Sequence, residues 1–144
     1  MMIKKSGIIY ISKRARFSAA HRMYNPALSD AENLKEFGRC SMPGGHGHDY
    51  VLEVTVCGKP DKKTGTLINL DLLKKVIAEQ VIERFDKKDL NNDVDVMQGI
   101  VPSMENLVRV IWDLLKPHIK GAELYEVRLW ETENNCAYYK GDKK

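Results

Sequence analysis

Two of the four histidines in this 144-residue chain stand one residue apart, as His46-Gly47-His48. On a strand, residues i and i+2 share a face and lie about 7 Å apart, so the two imidazoles can converge on one ion. The glycine between them lets backbone or ligand approach closely. His21 supplies a third nitrogen if the strand that it ends pairs with the strand that His48 opens. Three neutral imidazoles favour zinc, and three protein ligands leave a fourth position for water or substrate. Two other readings stand beside this one. The histidines can be ordinary surface-loop residues, because short motifs match by chance. Alternatively, Cys40 can close a structural site as a fourth ligand, an arrangement that the flexible Pro43-Gly44-Gly45 segment permits.

Cys40 has a different use if it stays off the ion. Beside a cation and Arg39 its thiol pKa would fall, which suits a general base or a nucleophile. Cys57 and Cys136 fall in strand-like segments, where packing is the expected role. Three widely spaced cysteines argue for free thiols rather than a disulfide framework. The carboxylates have bland roles when taken one at a time. Asp86-Lys87-Lys88-Asp89 reads as a solvated charged turn, Glu105 complements a helix dipole, and Glu131 beside Trp130 reads as a turn residue. His118 suits a helix C-terminus, and Trp112 and Met104 suit a core.

These residues need a frame. Residues 8–17 are rich in strand formers, and the pattern breaks at Asn25-Pro26. Residues 25–47 carry two prolines and four glycines and read as a long connection, with one short helical turn around residues 29–36. Alternation over residues 48–57 places Tyr50, Leu52, Val54 and Val56 on one face. A helix is expected from Asp71 to about Phe85, then a long loop over residues 86–102. Ser103 is placed to cap a second helix, whose stripe is Met104, Leu107, Val108, Ile111, Leu114 and Leu115. Two more strands, residues 124–130 and 135–140, close the order ββααββ. The expected class is α+β, with antiparallel hairpins flanking a helix pair and the helices on one sheet face.

Composition bounds the rest. At 144 residues, 43% hydrophobic and 30% charged, residues 1–144 read as one soluble domain. No apolar run is long enough for a membrane span. Lys4 and Lys5 are followed by alternation instead of a signal-peptide apolar block, so a cytoplasmic location is expected. The net charge of +3 permits an anionic ligand, and without an arginine-rich stripe no nucleic-acid or membrane partner is expected.

In combination the motifs say more. Phe17-Ser18-Ala19-Ala20-His21, Gly38-Arg39-Cys40, Pro43-Gly44-Gly45-His46-Gly47-His48, Phe85-Asp86, Ser103-Met104-Glu105-Asn106 and Glu131-Thr132-Glu133-Asn134-Asn135 together resemble the 6-pyruvoyltetrahydropterin synthase family. That family also holds the bacterial 6-carboxytetrahydropterin synthases. The resemblance implies a tunnelling fold whose sheets assemble into barrels, as a homo-hexamer built from two trimers with active sites at subunit interfaces. It implies Zn2+ on His21, His46 and His48, Cys40 as the proton-abstracting base, and Asp86 in a proton relay. Glu131 would anchor the pterin ring, with Ser103 and Glu105 lining its pocket.

The implied reaction is a phosphate-eliminating carbon–oxygen lyase step. It converts 7,8-dihydroneopterin triphosphate to 6-pyruvoyltetrahydropterin with internal redox, as in tetrahydrobiopterin biosynthesis. The alternatives are a 6-carboxytetrahydropterin synthase of the deazapurine (queuosine) pathway, a non-catalytic zinc-containing pterin-binding paralogue, and a zinc-stabilised assembly module. The five-residue gap between Cys40 and His46 resembles the pyruvoyl branch. One position departs from the family: where Asp-His is usual, this chain has Asp86-Lys87. Lys87 either carries the proton itself, lowers the thiol pKa of Cys40, or faces solvent with the relay lost.

Overall fold

The computed structural model describes residues 7–142. β1 (Ile9–His21) and β2 (His46–Gly58) pair antiparallel along their whole length, from Ile9 opposite Gly58 to His21 opposite His46. Both strands outrun the alternation in the sequence, which stopped at Phe17 and began at His48. Each is the other's ladder partner, and cross-strand pairing overrides the weak strand preference of Ala19, Ala20 and Gly47.

The connection between them contains α1 (Asp30–Phe37), where a short helical stretch over residues 29–36 is expected, followed by a 3-10 turn, Gly38–Ser41. Ser29 caps α1, its hydroxyl accepting from the Glu32 N–H at 3.1 Å. Asn33, completely buried, accepts from the Asn25 N–H at 2.7 Å and donates to the carbonyls of Asn25, Leu28 and Ser29. A buried amide so fully satisfied orders the loop that leads to Cys40.

α2 (Leu70–Ile77) is capped by Asn69 and runs on through a π-helical turn, Ala78–Ile82, into α3 (Glu83–Phe85). The following loop is less irregular than its sequence, because β3 (Lys88–Asp89) adds a parallel edge to β1. α4 (Met104–Leu115) begins at the Ser103 cap, as expected, with the Ser103 hydroxyl accepting from the Asn106 N–H at 3.2 Å. β4 (Glu123–Thr132) pairs with β2, and β5 (Asn135–Tyr139) with β4. The two expected hairpins are therefore one five-stranded sheet, ordered β3-β1-β2-β4-β5. The α+β class stands, and α1 and β3 are additions to the ββααββ order.

The core lies between this sheet and the helices. Phe17, Tyr50, Leu52, Val54, Val56, Val127 and Leu129 meet Leu73, Ile77, Val81 and Phe85 from α2–α3, and Leu107, Ile111 and Leu115 from α4. Each large side chain so buried contributes about 1.5–3 kcal/mol. An exposed pair such as Lys75 on α2 with Glu79 in the π-helical turn contributes about 0.3–0.5 kcal/mol, so the apolar stripe holds the helix. The opposite sheet face is open and mixed in character: Arg14 pairs with Glu53 at 2.8 Å and lies over Trp130, and Arg128 lies over Tyr138. Cys136 is exposed instead of packed. Among the described residues no helix is long and apolar enough to cross a membrane. The leader reading at residues 1–6 and the last two lysines of the expected tail lie outside the described residues.

Candidate metal centre and active site

The β1–β2 register sets the centre. His21 stands directly opposite His46, and Ala19 opposite His48, so all three imidazoles leave the sheet on the core face at its end. Their ligand nitrogens lie within 4.8 Å of one another, and the Nε2 atoms of His21 and His46 are 3.2 Å apart. Gly45 makes this closeness possible. Its φ is +60°, and a Cβ there would stand 2.3 Å from the His21 carbonyl oxygen, a distance that no side chain tolerates.

His21 is buried, and its Nδ1 lies 2.8 Å from the Pro102 carbonyl. A carbonyl can only accept, so Nδ1 carries the hydrogen and Nε2 presents a bare lone pair to its neighbours. Burial, opposed by this hydrogen bond and by Glu131, lowers the His21 pKa below its ordinary value. Burial lowers that of His48 as well, again opposed by Glu131. Neutral imidazoles are the form that binds metal.

Glu131 completes the cluster. Its Oε1 lies 3.4 Å from His21 Nε2 and 3.3 Å from His48 Nε2. Trp130 pairs with Cys136 and Thr132 with Asn135, which leaves Glu131 as the extra residue of a bulge in β4. Lone pairs and a carboxylate oxygen converging at these distances repel unless positive charge lies among them. The buried His48 Nε2 has no hydrogen-bond partner. On both counts the residues fit a divalent cation.

The same cavity, about 320 Å³, is lined by Cys40, Ser103, Glu105 and Glu131 together with the three histidines. It is large enough for a small ligand. Cys40 reaches it from the exposed 3-10 turn after α1. Six residues named from the sequence outside the metal trio divide here. Cys40, Ser103, Glu105 and Glu131 are brought to the cavity, whereas Asp86 and Lys87 are not. Asp86 accepts from the Ser18 N–H at 2.9 Å, and the Lys87 N–H donates to the Ser18 carbonyl at 2.6 Å, with Lys87 at a left-handed φ of 60°. Lys87 lines a separate groove with Ser18, Gly47 and Asp49, which shares His48 with the cavity.

The fold has known counterparts. Residues 10–142 match the family model described as 6-pyruvoyl tetrahydropterin synthase. The chain belongs to that family. It is 46% identical over 132 residues to the Pongo abelii protein named 6-pyruvoyl tetrahydrobiopterin synthase, covering 92% of this chain and 91% of that one. The Homo sapiens protein of the same name is 45% identical with the same coverage. The solved structure of Caenorhabditis elegans 6-pyruvoyl tetrahydropterin synthase superposes with a TM-score of 0.91 at 35% identity, covering 97% of this chain and all of that one.

Sequence reasoning missed some contributors. Met23 and Met104 line the cavity, although Met104 was expected in the core. The Pro102 carbonyl was invisible because backbone acceptors leave no residue signature. Tyr50, fully buried beneath the imidazoles, has a hydroxyl without a partner, and burial followed by the Glu131 charge pushes its pKa up. Its signal was available: it lies two residues beyond His48, on the same face.

Proposed function

We propose that the chain is a zinc-dependent 6-pyruvoyltetrahydropterin synthase, converting 7,8-dihydroneopterin triphosphate to 6-pyruvoyltetrahydropterin with loss of triphosphate. The observation that carries this reading is the convergence of His21, His46 and His48 in one cavity with Cys40 and Glu131, in a chain of this family. The pyruvoyl product is preferred because the relatives at 45–46% identity carry that name.

Zinc on the three imidazoles, when bound, supplies Lewis-acid polarisation that acidifies the substrate's neighbouring carbon-bound proton. The residues do the rest. Cys40 as thiolate accepts that proton at Sγ. Triphosphate departs with the electron pair of its carbon–oxygen bond. Glu131, expected as the ring anchor, has its Oε1 among the imidazole nitrogens and so acts at the metal end of the cavity. That leaves Glu105 to accept two hydrogen bonds from the pterin amino and ring N–H groups and fix which carbon faces Cys40. Ser103 and Glu105 line the ring's pocket. Asp86 and Lys87 lie off the cavity of their own chain, so in this reading they take a relay role only if the assembly brings them to a neighbouring subunit's site; otherwise Lys87 faces solvent and the relay is lost. The homo-hexameric assembly in this reading is supported by the open face of the sheet, where Arg14 and Tyr138 are exposed and Arg128 and Trp130 are half-buried. The location in this reading is cytoplasmic.

Incubating the zinc-loaded protein with dihydroneopterin triphosphate tests the proposal. Triphosphate release with a product of the 6-pyruvoyl mass supports it. A 6-carboxy mass assigns the other branch of the family. Saturable binding without triphosphate release, or no binding at all, removes the synthase reading.

A further inference from the structure

We propose that Asn91 and Arg22 are positioning residues that hold Cys40 in register with His21, an inference that rests on the synthase reading above. Three pieces of chain close on the segment that follows His21. From one side comes Asn91. Its amide oxygen accepts from the Arg22 N–H at 2.8 Å, and its NH2 donates to the Arg22 carbonyl at 3.0 Å. One side chain thus satisfies both backbone groups of one residue, as a neighbouring strand would. Asn91 is itself fixed, because its N–H donates to the Asp89 carboxylate at 2.9 Å and the Leu90 N–H donates to the Ala20 carbonyl at 2.8 Å.

From another side comes the Cys40 turn. The Met23 N–H donates to the Cys40 carbonyl at 2.7 Å, and Arg22 Nε donates to the Ser41 carbonyl at 3.0 Å. Two successive carbonyls, Cys40 and Ser41, are therefore tied to the two residues that follow His21. The third piece is Tyr24 with α1. The Arg22 guanidinium lies 3.8 Å from the centre of the Tyr24 ring, and the Tyr24 hydroxyl donates to Asp30 at 2.6 Å.

The consequence for chemistry is positional. Cys40 is exposed on a short turn, and such turns open locally at low cost unless tied down. The path from Asn91 through Arg22 to the Ser41 carbonyl, with the Met23 N–H on the Cys40 carbonyl beside it, ties this turn to the strand end that carries His21. Arg22 is suited to the task because a planar guanidinium can stack on one partner while donating to another in its own plane, which an ammonium cannot do.

The test uses the zinc-loaded full chain with Asn91→Ala and, separately, Arg22→Lys. Three quantities are measured: steady-state turnover of dihydroneopterin triphosphate, zinc bound per chain, and the rate at which iodoacetamide alkylates Cys40, read by peptide mass. A displacement of about 1 Å can cost about a hundredfold in rate, so kcat is expected to fall by at least about tenfold while KM stays within about twofold. Bound zinc is expected to stay at the parent level, and Cys40 to alkylate several times faster as its turn loosens. Unchanged kcat and alkylation in both variants would overturn the proposal, as would a loss of kcat matched by loss of zinc. If Asn91→Ala does not fold, Arg22→Lys, which leaves the backbone grip intact, decides alone. If the parent chain releases no triphosphate, the synthase reading has failed, and the alkylation rates still decide whether the clamp holds Cys40.

Discussion

His21 and His46 face one another across the β1–β2 ladder with their Nε2 atoms 3.2 Å apart, although 25 positions separate them in the chain. The two rings differ in burial, His21 being enclosed and His46 exposed. That difference separates metal binding from folding in experiments.

His46→Ala removes one of the three imidazoles that could hold an ion, at little cost to the metal-free fold. Zinc at a hundredfold excess over its Kd stabilises the parent protein by about 2.7 kcal/mol. The expected result is a zinc-induced rise in Tm for the parent and none for the variant, with the metal-free Tm values of the two close together. Differential scanning fluorimetry with and without a chelator checks it.

The metal-free protein becomes less stable in acid. His21 and His48 have folded pKa values below the ordinary 6.5, chiefly through burial, so the unfolded chain binds more protons as pH falls. Their contribution is fully present above pH 6.5 and is lost as pH falls through the lowered folded values. Urea midpoints of metal-free protein should hold steady above that pH and decline below it, with a shallower decline in His48→Gln.

Gly45→Ala tests the close approach. The added Cβ would meet the His21 carbonyl oxygen at 2.3 Å, in a left-handed conformation that alanine resists. A destabilisation of about 1–3 kcal/mol is expected, accompanied by weaker zinc binding because His21 and His46 are pushed apart. Denaturant unfolding and a zinc competition titration measure the two effects separately.

Ser103→Ala should act on both helix and metal. Losing the cap of α4 costs about 1 kcal/mol. The Pro102 carbonyl that orients His21 immediately precedes the cap, so zinc affinity should fall by about tenfold as that support shifts. Unchanged affinity in the same titration would mean that the carbonyl keeps its place without the cap.

Cys40→Ser distinguishes a base from a ligand. Turnover should fall by about a hundredfold or more while bound zinc stays constant. Loss of zinc in this variant would show that the sulfur binds the metal.

Whatever is settled within one turn or one pleat was legible in the residues alone. The shared face of His46 and His48 follows from period-two alternation, the start of α4 from Ser103, and its buried side from the stripe of Leu107, Ile111 and Leu115. These features depend on neighbours a few residues away, and the composition of each segment is enough to set them. The combined motifs also carried the family resemblance across most of the chain.

Features that depend on register across long connections emerge only when the chain is folded. His21 can share an ion with His46 and His48 because it stands opposite His46, a pairing closed over the long connection that holds α1. Glu131 points at the imidazoles because a bulge shifts β4. Asp86 and Lys87 are directed to the β1 edge by two hydrogen bonds to Ser18. Pro102 and Asn91 act through pairing with backbone atoms, whose partners are fixed by packing and not by residue type, so no local pattern announces them.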